Sequence, residues 1–262
     1  MPSGNEGERP YVLGVIVAAA LSPAASVGVS VSTLELGLLR GFEVRLRGGV
    51  VDLPLSAQRL VAFLALHDRP LQRLHVAGSL WLESSEEHAN ASLRTTLWRL
   101  GRQGCNLVEA TGNQLGLAQA VSVDLHEAQA QARRVLRHES ATSDDVDGLS
   151  LAGELLPDWY DDWVLLERER FRQLRLHALD ALCEELTAAG RYVAAIEAGQ
   201  ASVAAEPLRE SAHRLLISAY LAEGNPSEAI RQYRLYRQLL RTELGLEPSR
   251  AMEELVAVLP VR

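Results

Sequence analysis

Alternating apolar and polar residues predict β-strands from position 34 onward. Leu34, Leu36 and Leu38 alternate with polar or small residues, and the same period of two returns at 42–46. A further short segment, 50–53, follows a Gly-Gly pair. Alternation of this kind is typical of strands with one buried face, and glycine pairs favour tight turns. The pattern therefore predicts a small antiparallel sheet.

Three helices are predicted next, because the apolar spacing lengthens to three and four residues. The first begins after Ser56, and the second spans about 71–81 with Leu71, Leu74 and Trp81 facing inward. The third helix follows directly. Beyond it, two short apolar runs flank a Gly-Asn pair, which predicts a β-hairpin.

The third helix, at 85–102, carries the most informative pattern in the chain. Ser84 and Glu87 have the spacing of a capping box at its start. One predicted face is apolar: Ala89, Leu93, Leu97 and Leu100. The opposite face collects Ala91, Arg94, Thr95, Trp98, Arg99 and Arg102. Arginines among small residues suit a helix in a DNA major groove, but a solvated amphipathic helix with ordinary surface arginines has the same pattern.

The second half of the chain changes to a purely helical period. A helix is predicted from Asp124 to about His138, and an acidic linker is predicted at 140–151. A long helix then begins near Asp162. Further helices are predicted at 192–205, 208–223, 226–243 and 249–258. Ala189-Gly190 and Glu223-Gly224 are 34 residues apart (223 − 189), which is the tetratricopeptide period and predicts stacked helix pairs.

Composition and charge narrow the function classes. All 26 basic residues are arginine, so lysine-dependent P-loop and Schiff-base chemistry is excluded. The net charge is −8, but residues 1–122 hold ten Arg and ten Asp or Glu and are neutral, so residues 123–262 carry the whole −8. The first half can therefore present a local basic face while the second half is acidic.

No arrangement of nucleophile, base or metal ligands predicts an enzyme, a metal site or a cofactor. No serine lies in a nucleophile-elbow sequence. Cys105 and Cys183 have no metal-ligand spacing, and both are predicted to be reduced thiols in a cytoplasmic protein.

Residues 1–32 are predicted to lie outside the fold, as a disordered or mis-started extension. Their apolar part is broken by Pro23 and diluted by Ser and Gly, which is a poor match to a membrane span. The preceding residues are not cationic, which is a poor match to a secretory signal. No membrane partner is predicted, and a membrane anchor is the alternative.

Several segments resemble the Streptomyces antibiotic regulatory proteins. They are LELGLLRGFEVRL (34–46), AQRLVAFLAL (57–66), Leu80-Trp81, ANASLRTTLWRLGR (89–102), LLPDWYDDWVLLERER (155–170) and residues 206–249. The resemblance implies a fold that is mainly α with a small β component. It implies a response-regulator-type winged helix-turn-helix at 33–122, followed at 123–262 by a TPR-like bacterial transcriptional activator domain.

The resemblance also implies where DNA binds. The helix at 85–102 would be the recognition helix, and the hairpin would be the wing. The candidate DNA-binding residues are Arg94, Thr95, Trp98, Arg99, Arg102, Thr111 and Asn113. One departure is that the wing tip, 111–114, has no arginine, which puts minor-groove insertion of an arginine in doubt.

The function implied is that of a DNA-binding transcriptional activator. It would bind direct repeats at promoters, recruit RNA polymerase and its sigma factor through the connection at 82–88, and act in the nucleoid, with genes of secondary metabolism as targets. Dimerisation on DNA stays open. The alternative is a TPR-like protein-interaction adaptor with a vestigial winged helix, which the neutral first half would allow.

Overall fold

A computed structural model describes residues 34–139 and 142–257. The predicted extension at 1–32 lies outside them. The first sheet contains the three predicted strands: β1 (Leu34–Gly37), β2 (Glu43–Leu46) and β3 (Gly49–Val50). They are antiparallel, and Leu36 lies opposite Val44 in a register that buries both side chains.

A fourth strand completes this sheet, and it was not predicted. Residues 121–123 are too few to show a period, but they form a strand, Val121–Val123, that pairs in parallel with β1. The order of the sheet is β3, β2, β1 and this strand. The chain therefore returns to its first strand at the start of the helical half.

Three helices and a second sheet follow the first three strands. The helices are α1 (Leu55–Ala65), α2 (Arg73–Leu80) and α3 (Glu86–Gly101). The strands are β4 (Leu71–Gln72), β5 (Val108–Thr111) and β6 (Gln114–Leu117), in the order β4, β6, β5, and Val121–Val123 is β7. The hairpin prediction is confirmed, because β5 and β6 pair around Gly112 and Asn113.

The prediction for the second helix is wrong at its start. Leu71 is buried, but it lies in β4 and pairs with Leu115 of the hairpin. The strand pairing takes two residues from the predicted helix, so α2 begins at Arg73. Leu74, predicted to face inward, is 52% exposed because the helix starts two residues later and presents Val76, with Ala77, to the core.

The second half is an array of helices, and all except the second of them have bounds close to those predicted. They are α4 (Asp124–Leu136), α5 (Ser143–Leu151), α6 (Asp162–Ala188), α7 (Tyr192–Ala205), α8 (Glu210–Glu223), α9 (Pro226–Leu244) and α10 (Arg250–Val256). Gly224 and Gly245 end α8 and α9 in the left-handed conformation that glycine favours. Pro226 occupies the first turn of α9, where its missing N–H costs nothing.

The acidic linker predicted at 140–151 is wrong, because most of it is helix α5. Thr142 and Asp145 form a reciprocal capping box at its start. The Asp145 carboxylate also accepts from Arg134 at 3.2 Å, and Leu149 is completely buried. Carboxylates are stabilising at a helix N-terminus, so this acidic composition supports a helix rather than a solvated linker.

The first sheet shares one hydrophobic core with the beginning of the helical array, from α4 to the first part of α6. The bridge between Leu39 and Leu155 extends the sheet, and the N–H of Leu156 donates to the carbonyl of Leu38 at 2.9 Å. The same core cluster includes Leu36 from β1 and Phe171 from α6. We call residues 152–171 and the parts of the sheet and α1 that they contact the junction.

Polar and aromatic contacts complete the junction. Arg59 of α1 pairs with Asp161 at 2.5 Å. Phe63 meets the edge of Trp163, with ring centroids 5.2 Å apart. At the first residue of α4, the Asp124 carboxylate accepts the N–H groups of Leu38 and Leu39 at 2.9 and 3.0 Å.

Candidate nucleic-acid interface

The N-terminus of α3 is capped one residue later than predicted. The Ser85 hydroxyl, not that of Ser84, accepts the N–H of His88 at 3.4 Å. Ser84 belongs to the preceding turn, where its N–H donates to the carbonyl of Trp81. The helix therefore starts at Glu86, and its first turn contains two exposed carboxylates that favour the positive end of the helix dipole.

The buried face of α3 differs from the predicted one at a single position. Ala89, Leu93 and Leu100 are buried as predicted, but Leu97 is only partly buried. Thr96 is buried in its place. Positions 89, 93, 96 and 100 have spacings of four, three and four, as expected for one face of a helix. Thr96 was not predicted to be buried because threonine is not strongly apolar.

The opposite face of α3 is exposed and is formed by the predicted residues. Arg94, Thr95, Trp98, Arg99 and Arg102 are all exposed. The Thr95 hydroxyl donates to the carbonyl of Ala91 at 3.0 Å, so its oxygen can still accept a hydrogen bond.

The arginines of this face are directed away from the rest of the protein. Within 34–139 and 142–257, neither Arg94 nor Arg99 takes part in an ion pair. The Arg102 guanidinium carbon lies 4.9 Å from the centroid of the Trp98 ring, and Trp98 itself is 61% exposed. The face can therefore offer guanidinium groups to a ligand outside the molecule.

The hairpin tip is fixed to the start of α2. The carbonyl of Asn113 accepts the N–H of Arg73 at 2.9 Å, and its side-chain amide donates to Gln72 at 3.3 Å. Thr111 and Asn113 are exposed at this tip, where Gly112 adopts the left-handed conformation that the turn requires. Since α2 packs against α3, it connects the hairpin tip with the helix that carries the exposed face.

Sequence reasoning missed Arg73 as a candidate for this surface. Its backbone lies directly beside the hairpin tip, which only the pairing of β4 with β6 brings about. The only sign in the sequence was that Arg73 is a basic residue at the start of the helix before α3. No local pattern connects it with the hairpin tip at Asn113, 40 residues later (113 − 73).

The cysteines take no part in this surface. Cys105 and Cys183 are both buried free thiols. Burial raises the pKa of Cys183 to about 12, so its thiol stays protonated. Across the described part of the chain no cluster of His, Cys, Asp and Glu could hold a metal ion, and no helix there is long and apolar enough to cross a membrane.

The fold and the exposed α3 face define a class of protein, a winged helix followed by a TPR-like helical array. Residues 119–259 match the model of the bacterial transcriptional activator domain. That match covers more than half of the chain, so the chain belongs to this family, of the Streptomyces antibiotic regulatory protein type. The predicted family and fold class are confirmed.

Two regulatory proteins are similar in sequence. The regulatory protein AfsR of Streptomyces coelicolor is 30% identical over 213 residues, which cover 77% of this chain and 21% of AfsR. AfsR of Streptomyces griseus is 26% identical over 212 residues, which cover 77% of this chain and 22% of that protein. The chain thus spans about a fifth of the length of the curated relatives that it matches.

A solved structure supports the fold. It is Mycobacterium tuberculosis EmbR in complex with a low affinity phosphopeptide, with a TM-score of 0.66 and 24% sequence identity. The similarity covers 85% of this chain and 63% of EmbR.

Proposed function

We propose that this regulator is a DNA-binding transcriptional activator whose helix α3 lies in the major groove. One observation carries the proposal: Arg94, Thr95 and Arg99 are exposed on a helix whose opposite face is part of the core. A winged helix that docks through its third helix requires this arrangement, because the core holds the helix while its outer face contacts base edges and phosphates.

The position of each residue along α3 suggests its role. Arg94 lies nearest the N-terminus of the three arginines, which this docking mode inserts deepest, so it is the candidate for a base edge. Arg99 and Arg102 lie toward the C-terminus and would contact phosphates. At the hairpin tip, Thr111 and Asn113 would contact the DNA backbone without inserting a cation.

The two halves of the chain would divide the work of activation. Residues 33–122 would bind DNA, and residues 123–262 would form the activator domain. Leu82, which is 77% exposed in the connection between α2 and α3, would lie on the surface that contacts RNA polymerase and its sigma factor. Two copies side by side on a direct repeat would place two such surfaces at one promoter.

A triple substitution tests the proposal. Arg94→Ala, Arg99→Ala and Arg102→Ala together should abolish salt-dependent DNA binding, since each lost phosphate contact reduces the slope of log affinity against log salt by about one unit. A gel-shift series over salt concentrations measures that slope. Urea unfolding should be unchanged within about 0.5 kcal/mol per site, because all three side chains are exposed.

A matched control removes the same charge elsewhere. Arg133→Ala, Arg214→Ala and Arg231→Ala change three exposed arginines of the helical array. This variant should bind DNA as the unsubstituted chain does. Unchanged affinity in the folded α3 triple variant would reject DNA binding through α3 and favour the adaptor, whose acidic array would then be the functional surface.

A further inference from the structure

Trp98 is a large aromatic side chain that the core does not use. It is 61% exposed on α3 and lies outside the hydrophobic clusters of the described residues. An exposed indole keeps its ring face free for contacts other than core packing. The contact that the structure gives it is with Arg102.

The geometry of the pair is that of a cation–π interaction. The Arg102 guanidinium carbon lies 4.9 Å from the ring centroid, inside the distance at which such attraction is significant. The two residues are four apart on the helix, which places their side chains on the same surface strip. Arg102 is the C-cap residue of α3, so the ring holds a side chain that follows the last helical turn.

We propose that Trp98 is a positioning residue that holds Arg102 ready to contact the DNA backbone. The inference rests on the proposed function and deepens it. A long arginine side chain loses conformational freedom when it binds a phosphate. The indole restricts that freedom before DNA arrives, so less is lost on binding.

The distribution of charge over the rest of the proposed DNA-binding surface explains why the Arg102 side chain is held in place. The hairpin tip, Thr111 to Gln114, has no basic side chain of its own, so phosphate contacts fall to α3 and to Arg73, which lies beside the tip. The first turn of α3 is acidic, with Glu86 and Glu87, and cannot supply them. The C-terminal end, where Arg99 and Arg102 lie, is therefore the part of α3 that can hold a phosphate.

A double-mutant cycle on the full chain tests the proposal. The ligand is a duplex that the unsubstituted chain selects from a random-sequence pool. Trp98→Ala alone should weaken binding about two- to fivefold, the range of an exposed cation–π contact. In an Arg102→Ala background the same change should have no further effect. Trp98→Ala combined with Arg99→Ala is the matched control and should be additive, because the guanidinium that lies over the ring is that of Arg102.

A second series of variants separates the effect of the aromatic ring at position 98 from the effect of side-chain size. Trp98→Phe keeps an aromatic face and should retain most of the affinity, whereas Trp98→Leu should behave like the alanine variant. The salt slope should fall by about one unit in Arg102→Ala, and by a smaller amount in Trp98→Leu. A Trp98 that only stabilised the helix would leave the salt slope unchanged, and urea unfolding of each variant reports that effect separately.

The outcomes distinguish the two proposals. Additive effects of Trp98→Ala and Arg102→Ala, in a chain that binds DNA with a salt slope, would overturn the positioning role and leave the proposed function intact. Equal affinities of the Phe and Leu variants would overturn it as well. Failure of the unsubstituted chain to bind any duplex in a salt-dependent way would overturn both.

Discussion

The junction and the exposed face of α3 use the same residue type in opposite ways. At the junction, Arg168 donates to the carbonyls of Leu155 and Trp159, both at 2.8 Å, and Arg59 pairs with Asp161. On α3, Arg94 and Arg99 project into solvent. Arginine at the junction satisfies backbone groups that would otherwise be buried without partners. Arginine on α3 is available to another molecule, so these side chains affect the free energy of binding rather than that of folding.

This contrast predicts that substitutions at the junction change stability and those on α3 change binding. Residues 34–139 and 142–257 lie in one compact unit, so a junction defect should lower the stability of both halves together. The following variants test the contrast, from the largest expected effect to the smallest.

Leu155→Ala should produce the largest loss of stability. Leu155 is completely buried in the core that the sheet and α6 share. Truncation of such a leucine costs about 2–5 kcal/mol through lost transfer free energy and the cavity that remains. Urea unfolding followed by circular dichroism measures the loss. Leu166→Ala, a control on a 54% exposed leucine of α6, should cost less than about 0.5 kcal/mol. Equal effects of the two would contradict a shared core.

Asp124→Ala should have an intermediate effect. Its carboxylate accepts the N–H groups of Leu38 and Leu39, and the substitution leaves both donors without this partner. The expected cost is about 1–3 kcal/mol of unfolding free energy. Glu127→Ala removes an exposed carboxylate from the same helix and serves as the control for charge. If both variants unfold at the same urea concentration, the Asp124 contacts contribute nothing specific.

Glu87→Gln should have the smallest effect, and on binding rather than stability. Glu87 is exposed in the first turn of α3, where the proposed docking brings it near phosphates. Removal of this repulsion should raise DNA affinity by less than about fivefold, the scale of an exposed charge interaction. Glu243→Gln makes the same charge change on α9 and should leave affinity unchanged. A loss of affinity on one sequence only would instead indicate that Glu87 accepts a hydrogen bond from a base.

The sequence by itself determined most helices of the second half, α5 excepted, and the outer face of α3. Gly224, Pro226 and Gly245 are local signals that act within one turn, so the ends of α8 and α9 followed from neighbouring residues. The arginine face followed in the same way, because a helical period places Arg94 and Arg99 opposite the leucines whatever the helix packs against.

Only the tertiary structure decided the features that depend on a distant partner. β4 and β7 have two and three residues, too few for a period, and they are strands because β6 and β1 pair with them. Thr96 is buried because the core needs a side chain at that position, and a polar residue gives no local sign of this. Local signals fix which face of a helix is polar and where many helices end. Pairing across the chain fixes where short strands form, where α2 starts, and which surfaces meet.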